Sequence, residues 1–541
     1  MTEPVRFTID GRPAQAEPGV SLLAALWNDG ARALRTSVTG EARGPLCGMG
    51  TCFECRVTVD GRPHVRSWLT PVRDGMNVGL RATSLAVETM SAQPSLHGAS
   101  PSVEASQRAV ILPSTISSLK GVERLEAEVV VVGGGPAGLA AAVHAAEAGA
   151  RTLLVDTYAR PGGQIWRHRG EPPSAARDWL ARLARARVKM LVGATVVDGI
   201  AGELLIEHEA YPCRVGFDRL VLATGARERF LPFPGWTLPG VVGVGGIQAM
   251  LKSGARFSNR RVVVAGSSPL LAAVAATLAR EGARLVGVAE QAPLRRLAAF
   301  GAGLWRSPGK IAEGLGYGAR LVGVPYRTGA WVREVEETGG ALRATLTDGR
   351  GSWSWDCDVL ACGYGLVPNL ELPRLLGCDT VGDRMVLDAE QRSNVPGIFA
   401  AGELGGMAGV DHALVTGAIA GLAAAGRRIP AALARRREAE LAFGARLAHA
   451  FELRDELRGL ARPDTTVCRC EDVPHDRLQA VASSREAKLA TRAGMGPCQG
   501  RVCGSALGFV HGWPEGAVRP PLTPTPLAVL AQGSDEARDR S

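Results

Sequence analysis

Seven of the chain's eleven cysteines fall into two clusters: Cys47, Cys52 and Cys55 near the start, and Cys468, Cys470, Cys498 and Cys503 near the end. The other four, Cys213, Cys357, Cys362 and Cys378, stand alone and read as small buried hydrophobes. Clustered thiols in a long chain with no visible export signal read as metal ligands rather than disulfides. The later cluster supplies four thiolates as C-x-C and C-x4-C. Gly494, Gly496, Pro497 and Gly500 shape its second loop, and Lys488, Arg492 and Arg501 lie near it in sequence. Four thiolates suit iron–sulfur or zinc, and the basic, glycine-rich surroundings favour [2Fe–2S] over structural zinc.

The earlier cluster has the C-x4-C-x2-C spacing of plant-type ferredoxins, in which a glycine-rich loop wraps a [2Fe–2S] centre. That pattern needs a fourth thiolate further on. The place for it, Val65–Thr70, carries Trp68 and no cysteine. A centre here would need an unusual ligand such as His64, a ligand from a partner, or three-thiolate coordination. The alternative is a unit that kept its fold and lost its iron.

Between the clusters lies a nucleotide-binding pattern. Four valines, Val129–Val132, run into Gly133, Gly134, Gly135, Pro136, Ala137 and Gly138, followed by an alanine-rich stretch. Gly133 permits the tight turn, Gly135 lets the main chain approach a pyrophosphate, and Gly138 lets helix and strand pack closely, with free N–H groups at the helix start. The next apolar strand ends in Asp156, placed to accept hydrogen bonds from a ribose hydroxyl. Three further pieces narrow the ligand to FAD. Gly163-Gln164 lets the backbone pass a flat ring, Thr224-Gly225 closes a buried strand with a small-residue turn, and Gly402-Glu403 ends a strand in a carboxylate suited to ribityl hydroxyls. His412, at the start of the following helix, reads as structural more readily than catalytic.

A second pattern of the same kind begins at Arg261 and runs through Gly266, Ser267 and Ser268 to a strand ending in Glu290. Ser268 and Leu271 occupy its second and third glycine positions, which argues against a working NAD site. The strand 218–226 has a near-copy at 358–365, so the chain is expected to leave the first fold, build an inserted one, and return with that second strand.

These elements must be carried by 541 residues, too many for one core, with 46% hydrophobic and 21% charged residues. The net charge of +9 is scattered, with Arg435–Arg437 as its one run, which excludes a nucleic-acid-binding stripe. No apolar run is long enough to span a bilayer, so a cytoplasmic protein is expected, with peripheral attachment at the inner face of the membrane left open. The fold expected is α/β: a Rossmann-like FAD domain with an inserted second Rossmann-like domain, preceded by a β-grasp ferredoxin-like domain and followed by a small four-cysteine [2Fe–2S] domain. The bounds are 1–98 for the ferredoxin-like domain, 99–126 for a linker, 127–235 and 351–430 for the two parts of the FAD domain, and 236–350 for the NAD-binding-like insert. A helical connector takes 431–460, and the [2Fe–2S] domain with its extended tail takes 461–541.

Taken together, Cys47–Cys55, Val129–Gly138, Phe233–Gly240, Gly397–Glu403, Cys468–Val473 and Thr491–Cys503 resemble the A-type subunits of heteromeric FAD-dependent amine and imino-acid dehydrogenases. That family takes in hydrogen cyanide synthase, opine oxidase and dye-linked proline or hydroxyproline dehydrogenases. The resemblance implies a hetero-oligomer in which a partner flavoprotein, similar to amino-acid oxidases, oxidises an opine, glycine, proline or hydroxyproline-class substrate. This chain would relay the electrons through FAD and [2Fe–2S] to a quinone or other acceptor, with FMN at a subunit interface. No general base stands out in the motifs, so the catalytic residues stay unassigned. Two other readings remain: a self-contained NAD(P)H-dependent flavin reductase, which needs an intact second glycine motif, and a zinc-stabilised scaffold without activity.

Overall fold

The structure is a computed structural model that describes residues 3–80, 123–208 and 212–534. Most of the expected linker 99–126 therefore lies outside the described residues. The strand that follows begins at Glu123, inside that expected linker, and runs to Val132.

This strand is central in a seven-stranded sheet. Lys189–Val192, Thr152–Asp156, Glu123–Val132 and Cys213–Leu222 lie parallel in that order, and Ile398–Ala400 also pairs parallel with Cys213–Leu222, Leu220 opposite Ile398. Glu203–His208 and Ala194–Ile200 extend the sheet antiparallel. The valines alternate between two cores because both faces of a parallel sheet are covered. Helices Pro136–Glu147 and Val410–Ala424 cover one face together. They approach closely: a Cβ on Gly417 would stand 2.2 Å from the Ala137 carbonyl oxygen, and one on Gly421 2.2 Å from that of Ala141.

The insert builds a second parallel sheet, ordered Val241–Val242, Val359–Gly363, Arg261–Gly266, Arg284–Glu290 and Tyr326–Thr328. Val359–Gly363 thus belongs to the insert, which corrects the expectation that it returns the chain to the first fold. The returning strand is Ile398–Ala400, so the insert outlasts residue 350. The near-copy misleads because any fully buried parallel strand ending in a small-residue turn carries the same signature.

The front unit is a five-stranded sheet in the order Arg12–Ala16, Val5–Ile9, Asn77–Gly79, Arg56–Val59, Arg62–Arg66, with helix Leu22–Asn28 capped by Ser21 Oγ on the Ala24 N–H at 3.2 Å. Asp10-Gly11 and Asp60-Gly61 turn its hairpins with positive φ at both residues. The last unit pairs Thr466–Cys468 with Val473–Pro474 and adds helices Ser484–Thr491 and Cys503–His511. One apolar core joins Leu46 and Phe53 of the front unit, Phe233 and Trp236 of the Phe233–Gly240 motif, and Val467 and Leu507 of the last unit. Among the described residues no helix is long and apolar enough to cross a membrane.

Candidate functional site

The glycine loop opens onto a cavity of about 1260 Å³. Its shape follows from backbone approaches that a side chain would block. A Cβ on Gly133, at φ +107°, would lie 2.2 Å from the Ala223 carbonyl oxygen, and one on Gly138 would lie 1.7 Å from that of Gly133. At Gly135 a Cβ would meet only Gly163 Cα, at 3.8 Å, so the space beyond it is cavity. Among the glycines of this turn, Gly134, which the sequence left without a role, has the tightest side-chain neighbour: its Cβ would fall 2.2 Å from Asp156 Oδ2.

Asp156 accepts hydrogen bonds from the Gly134 N–H at 3.0 Å and the Tyr158 N–H at 3.1 Å. Burial pushes its carboxyl up to about 6, against the pull of those donors and of Arg167. Gly133–Ala137, Asp156, Gly163, Gln164, Thr224, Gly225, Gly402 and Glu403 all line this one cavity. Thr224 is fixed from behind, its hydroxyl donating to the Asn369 carbonyl at 2.9 Å while Asn369 Nδ2 donates to the Thr224 carbonyl at 2.8 Å. Two buried oxygens on the wall, Gln164 Oε1 and Glu403 Oε2, have no hydrogen-bond partner. Burial raises Glu403 to about 7. A ligand bearing hydroxyl and N–H groups would satisfy both, which is the fit expected of a flavin nucleotide. His412 is buried at the start of helix Val410–Ala424 and lies off the cavity wall.

Sequence reading missed several groups on the same wall, because distant segments supply them. Lys252 Nζ donates to the carbonyls of Gln164 and Ile165 at 2.9 and 2.6 Å, and burial lowers it to about 8. Tyr158 donates to the Met49 carbonyl at 2.9 Å and accepts from Gln164 Nε2 at 2.8 Å, tying the front cysteine loop to the Gly163-Gln164 segment. Glu228 sits at the start of helix Val244–Lys252 and accepts from the Gly245 N–H at 3.1 Å; burial raises it to about 8.

The four C-terminal cysteines are buried and form two contacting pairs, Cys468 with Cys503 and Cys470 with Cys498. A Cβ on Gly496 would stand 2.1 Å from Cys470 Cβ, so glycine is needed for the two loops to meet. Among the described residues no three His, Cys, Asp or Glu side chains converge as a set for one ion. All four thiols are mutual neighbours, Cys503 interacting with Cys468, Cys470 and Cys498. Arg501, in the Cys498–Cys503 loop, lines the same cavity as the Gly133–Gly138 turn. At the front, Cys47 Sγ and Cys52 Sγ are 3.2 Å apart, and Cys55 contacts Cys52. The side chain at 68 points to this loop: a Cβ on Gly50 would lie 2.6 Å from the Trp68 ring.

The second nucleotide loop is tied on one side to the segment 451–454, while Ser268, Pro269 and Leu270 line the same cavity as the first glycine turn. Ser267 Oγ donates to the Phe451 carbonyl at 3.1 Å, and Gln291 bridges Ser267 Oγ, the Glu452 carbonyl and the Arg454 N–H. Glu290 is fully buried and accepts from the Ser268 and Ala292 N–H groups at 3.0 and 2.8 Å, repeating the geometry of Asp156 with no open face toward a ribose.

Residues 127–417 match the model of the pyridine nucleotide-disulphide oxidoreductases. The chain belongs to this FAD-dependent oxidoreductase family. Residues 2–82 match a 2Fe-2S iron-sulfur cluster binding domain, so the oxidoreductase carries a fused ferredoxin-like unit. It is 35% identical to hydrogen cyanide synthase subunit HcnB of Pseudomonas aeruginosa over 69% of this chain and 90% of that one. It is 31% identical to the A-type subunit of opine oxidase from Rhizobium meliloti over 75% and 98%. In fold it is similar to L-proline dehydrogenase from P. horikoshii, with a TM-score of 0.67 and 18% identity over 98% of both chains. Both curated relatives are named as subunits. The expected α/β architecture of this oxidoreductase is borne out, as is its resemblance to hydrogen cyanide synthase and opine oxidase subunits.

Proposed function

We propose that the chain is the electron-relay subunit of a heteromeric dehydrogenase acting on an amino or imino acid. The observation that carries this reading is Arg501: one loop holds Cys498 and Cys503 and also forms wall of the cavity behind the Gly133–Gly138 turn. A thiolate-held centre and a flavin would then be neighbours.

In this reading the N–H groups of the Gly133–Gly138 turn bind the pyrophosphate of FAD and Asp156 the ribose. Gly163-Gln164 and Thr224-Gly225 flank the ring system, and Glu403 takes ribityl hydroxyls. Cys468, Cys470, Cys498 and Cys503 hold a [2Fe–2S] cluster. Flavin accepts an electron pair and releases electrons singly, which a one-electron cluster can then carry. The protein's part is to hold the two within one dry, shaped interior. A partner flavoprotein removes the hydride from an opine, glycine, proline or hydroxyproline-class substrate, with FMN at the interface, and a quinone or other acceptor takes the electrons. The name of the opine oxidase relative supports the opine part of this substrate class. Ser268 and Leu271 at the second loop's glycine positions speak against the NAD(P)H-reductase alternative.

The test is reduction of the assembled heteromer by substrate under anaerobic conditions, followed by EPR. Cys498→Ser is expected to remove the cluster signal and transfer to a quinone analogue while the partner's flavin still bleaches. Undiminished quinone reduction by Cys498→Ser would refute the relay.

A further inference from the structure

The front unit and the four-cysteine unit meet through buried charges. Glu54, between Cys52 and Cys55, accepts from Arg469 Nε at 3.2 Å, and both side chains are 1% exposed. Arg469 stands between Cys468 and Cys470 in the chain. The other Glu54 oxygen accepts from Arg35 Nε at 2.6 Å, and Arg35 also donates to the Arg469 carbonyl at 3.3 Å. A second pair, Arg43 to Asp472 at 2.7 Å, is equally buried. The Arg469 guanidinium lies over the Trp236 ring, 5.3 Å from its centroid.

The front loop lacks a fourth ligand. The Trp68 ring fills the space over Gly50, and an indole offers a metal no lone pair. The neighbouring Ser67 hydroxyl is committed to the Cys55 carbonyl at 2.6 Å, and His64 is solvent-exposed on strand Arg62–Arg66. Three thiols therefore stand where a [2Fe–2S] centre requires four donors.

We infer that the ferredoxin-like unit carries no iron and serves as a positioning module, in which Glu54 holds Arg469, the residue between Cys468 and Cys470. The inference rests on the [2Fe–2S] reading of the C-terminal cysteines. A buried cation near cluster thiolates stabilises the reduced, more negative state, and the Glu54 carboxylate offsets part of that effect. Glu54 is thus a positioning residue whose loss raises the midpoint potential.

The experiment uses the anaerobically purified holoprotein, assayed for iron and acid-labile sulfide per chain, with the midpoint potential followed by EPR. Wild type is expected to hold about two irons and Trp68→Cys about four, because the new thiolate completes the front set. Glu54→Gln is expected to keep the wild-type iron content and shift the potential positive. About four irons in wild type, no added iron in Trp68→Cys, or an unmoved potential in an iron-replete Glu54→Gln each overturns the inference. The iron counts decide even where Glu54→Gln fails to fold. A protein with no iron at all would instead overturn the cluster reading on which the inference rests.

Discussion

Glu54 and Arg469, 415 residues apart in the chain, form an ion pair of 3.2 Å from which water is excluded. Removing one partner of such a pair leaves an uncompensated buried charge, whereas removing both leaves none. Glu54→Ala, which strands Arg469 and half-strands Arg35, is expected to cost about 3–5 kcal/mol in urea denaturation of the holoprotein. The double variant Glu54→Leu/Arg469→Met should cost less than Glu54→Ala. A double variant worse than the single would mean that the pair stabilises the interface beyond what apolar packing can replace.

The glycine turn separates folding from binding. Gly138→Ala drives a methyl into the Gly133 carbonyl and is expected to lower stability by about 1–3 kcal/mol along with flavin content. Gly135→Val has open cavity in front of it, so the apoprotein should melt as wild type does while retained flavin falls to near zero. Full flavin occupancy in Gly135→Val would contradict the assignment of the turn to the pyrophosphate.

Burial raises Glu290 to about 7 from an ordinary 4.5, and Asp156 and Glu403 move in the same direction, to about 6 and about 7. A carboxyl with a raised folded pKa binds its proton more tightly when folded. Its contribution is complete below about pH 4.5 and lost as pH climbs through about 7. The apoprotein should therefore be less stable at pH 8 than at pH 5. Glu290→Gln should flatten that difference by up to about 3 kcal/mol, read from urea midpoints at the two pH values. An identical pH profile in Glu290→Gln would show that its carboxyl is not held neutral.

NADH is expected neither to bind nor to bleach the flavin in stopped-flow absorbance. Restoring glycines at Ser268 and Leu271 should not change this, since Glu290 would stay fully buried and Ser267 and Gln291 tied to Phe451–Arg454. Rapid bleaching by NADH in the wild type would reinstate the self-contained reductase.

How much of this was legible in the sequence follows from how local each signal is. The Gly133–Gly138 turn, the Ser21 cap and the Asp10-Gly11 hairpin are written in adjacent residues, and the structure shows each one there. The Arg519–Pro526 segment, proline-rich and unsuited to helix, does lie extended over the first sheet, Leu522 N–H donating to the Val197 carbonyl at 2.7 Å. The destination of Val359–Gly363 was not legible, because an apolar strand carries no label for its sheet. Nor were Lys252, Glu228 or the Glu54–Arg469 pair. Their meaning depends on neighbours from 17 to 415 residues away, and an isolated charged residue reads as surface until the fold buries it.

The account stands or falls on what the anaerobically purified holoprotein contains. Iron, acid-labile sulfide, zinc and flavin should be quantified per chain, with an EPR spectrum after dithionite. It predicts about one FAD and about two irons with matching sulfide and a single [2Fe–2S] signal. A flavin-free protein, or one with zinc in place of iron at the C-terminal cysteines, would contradict it.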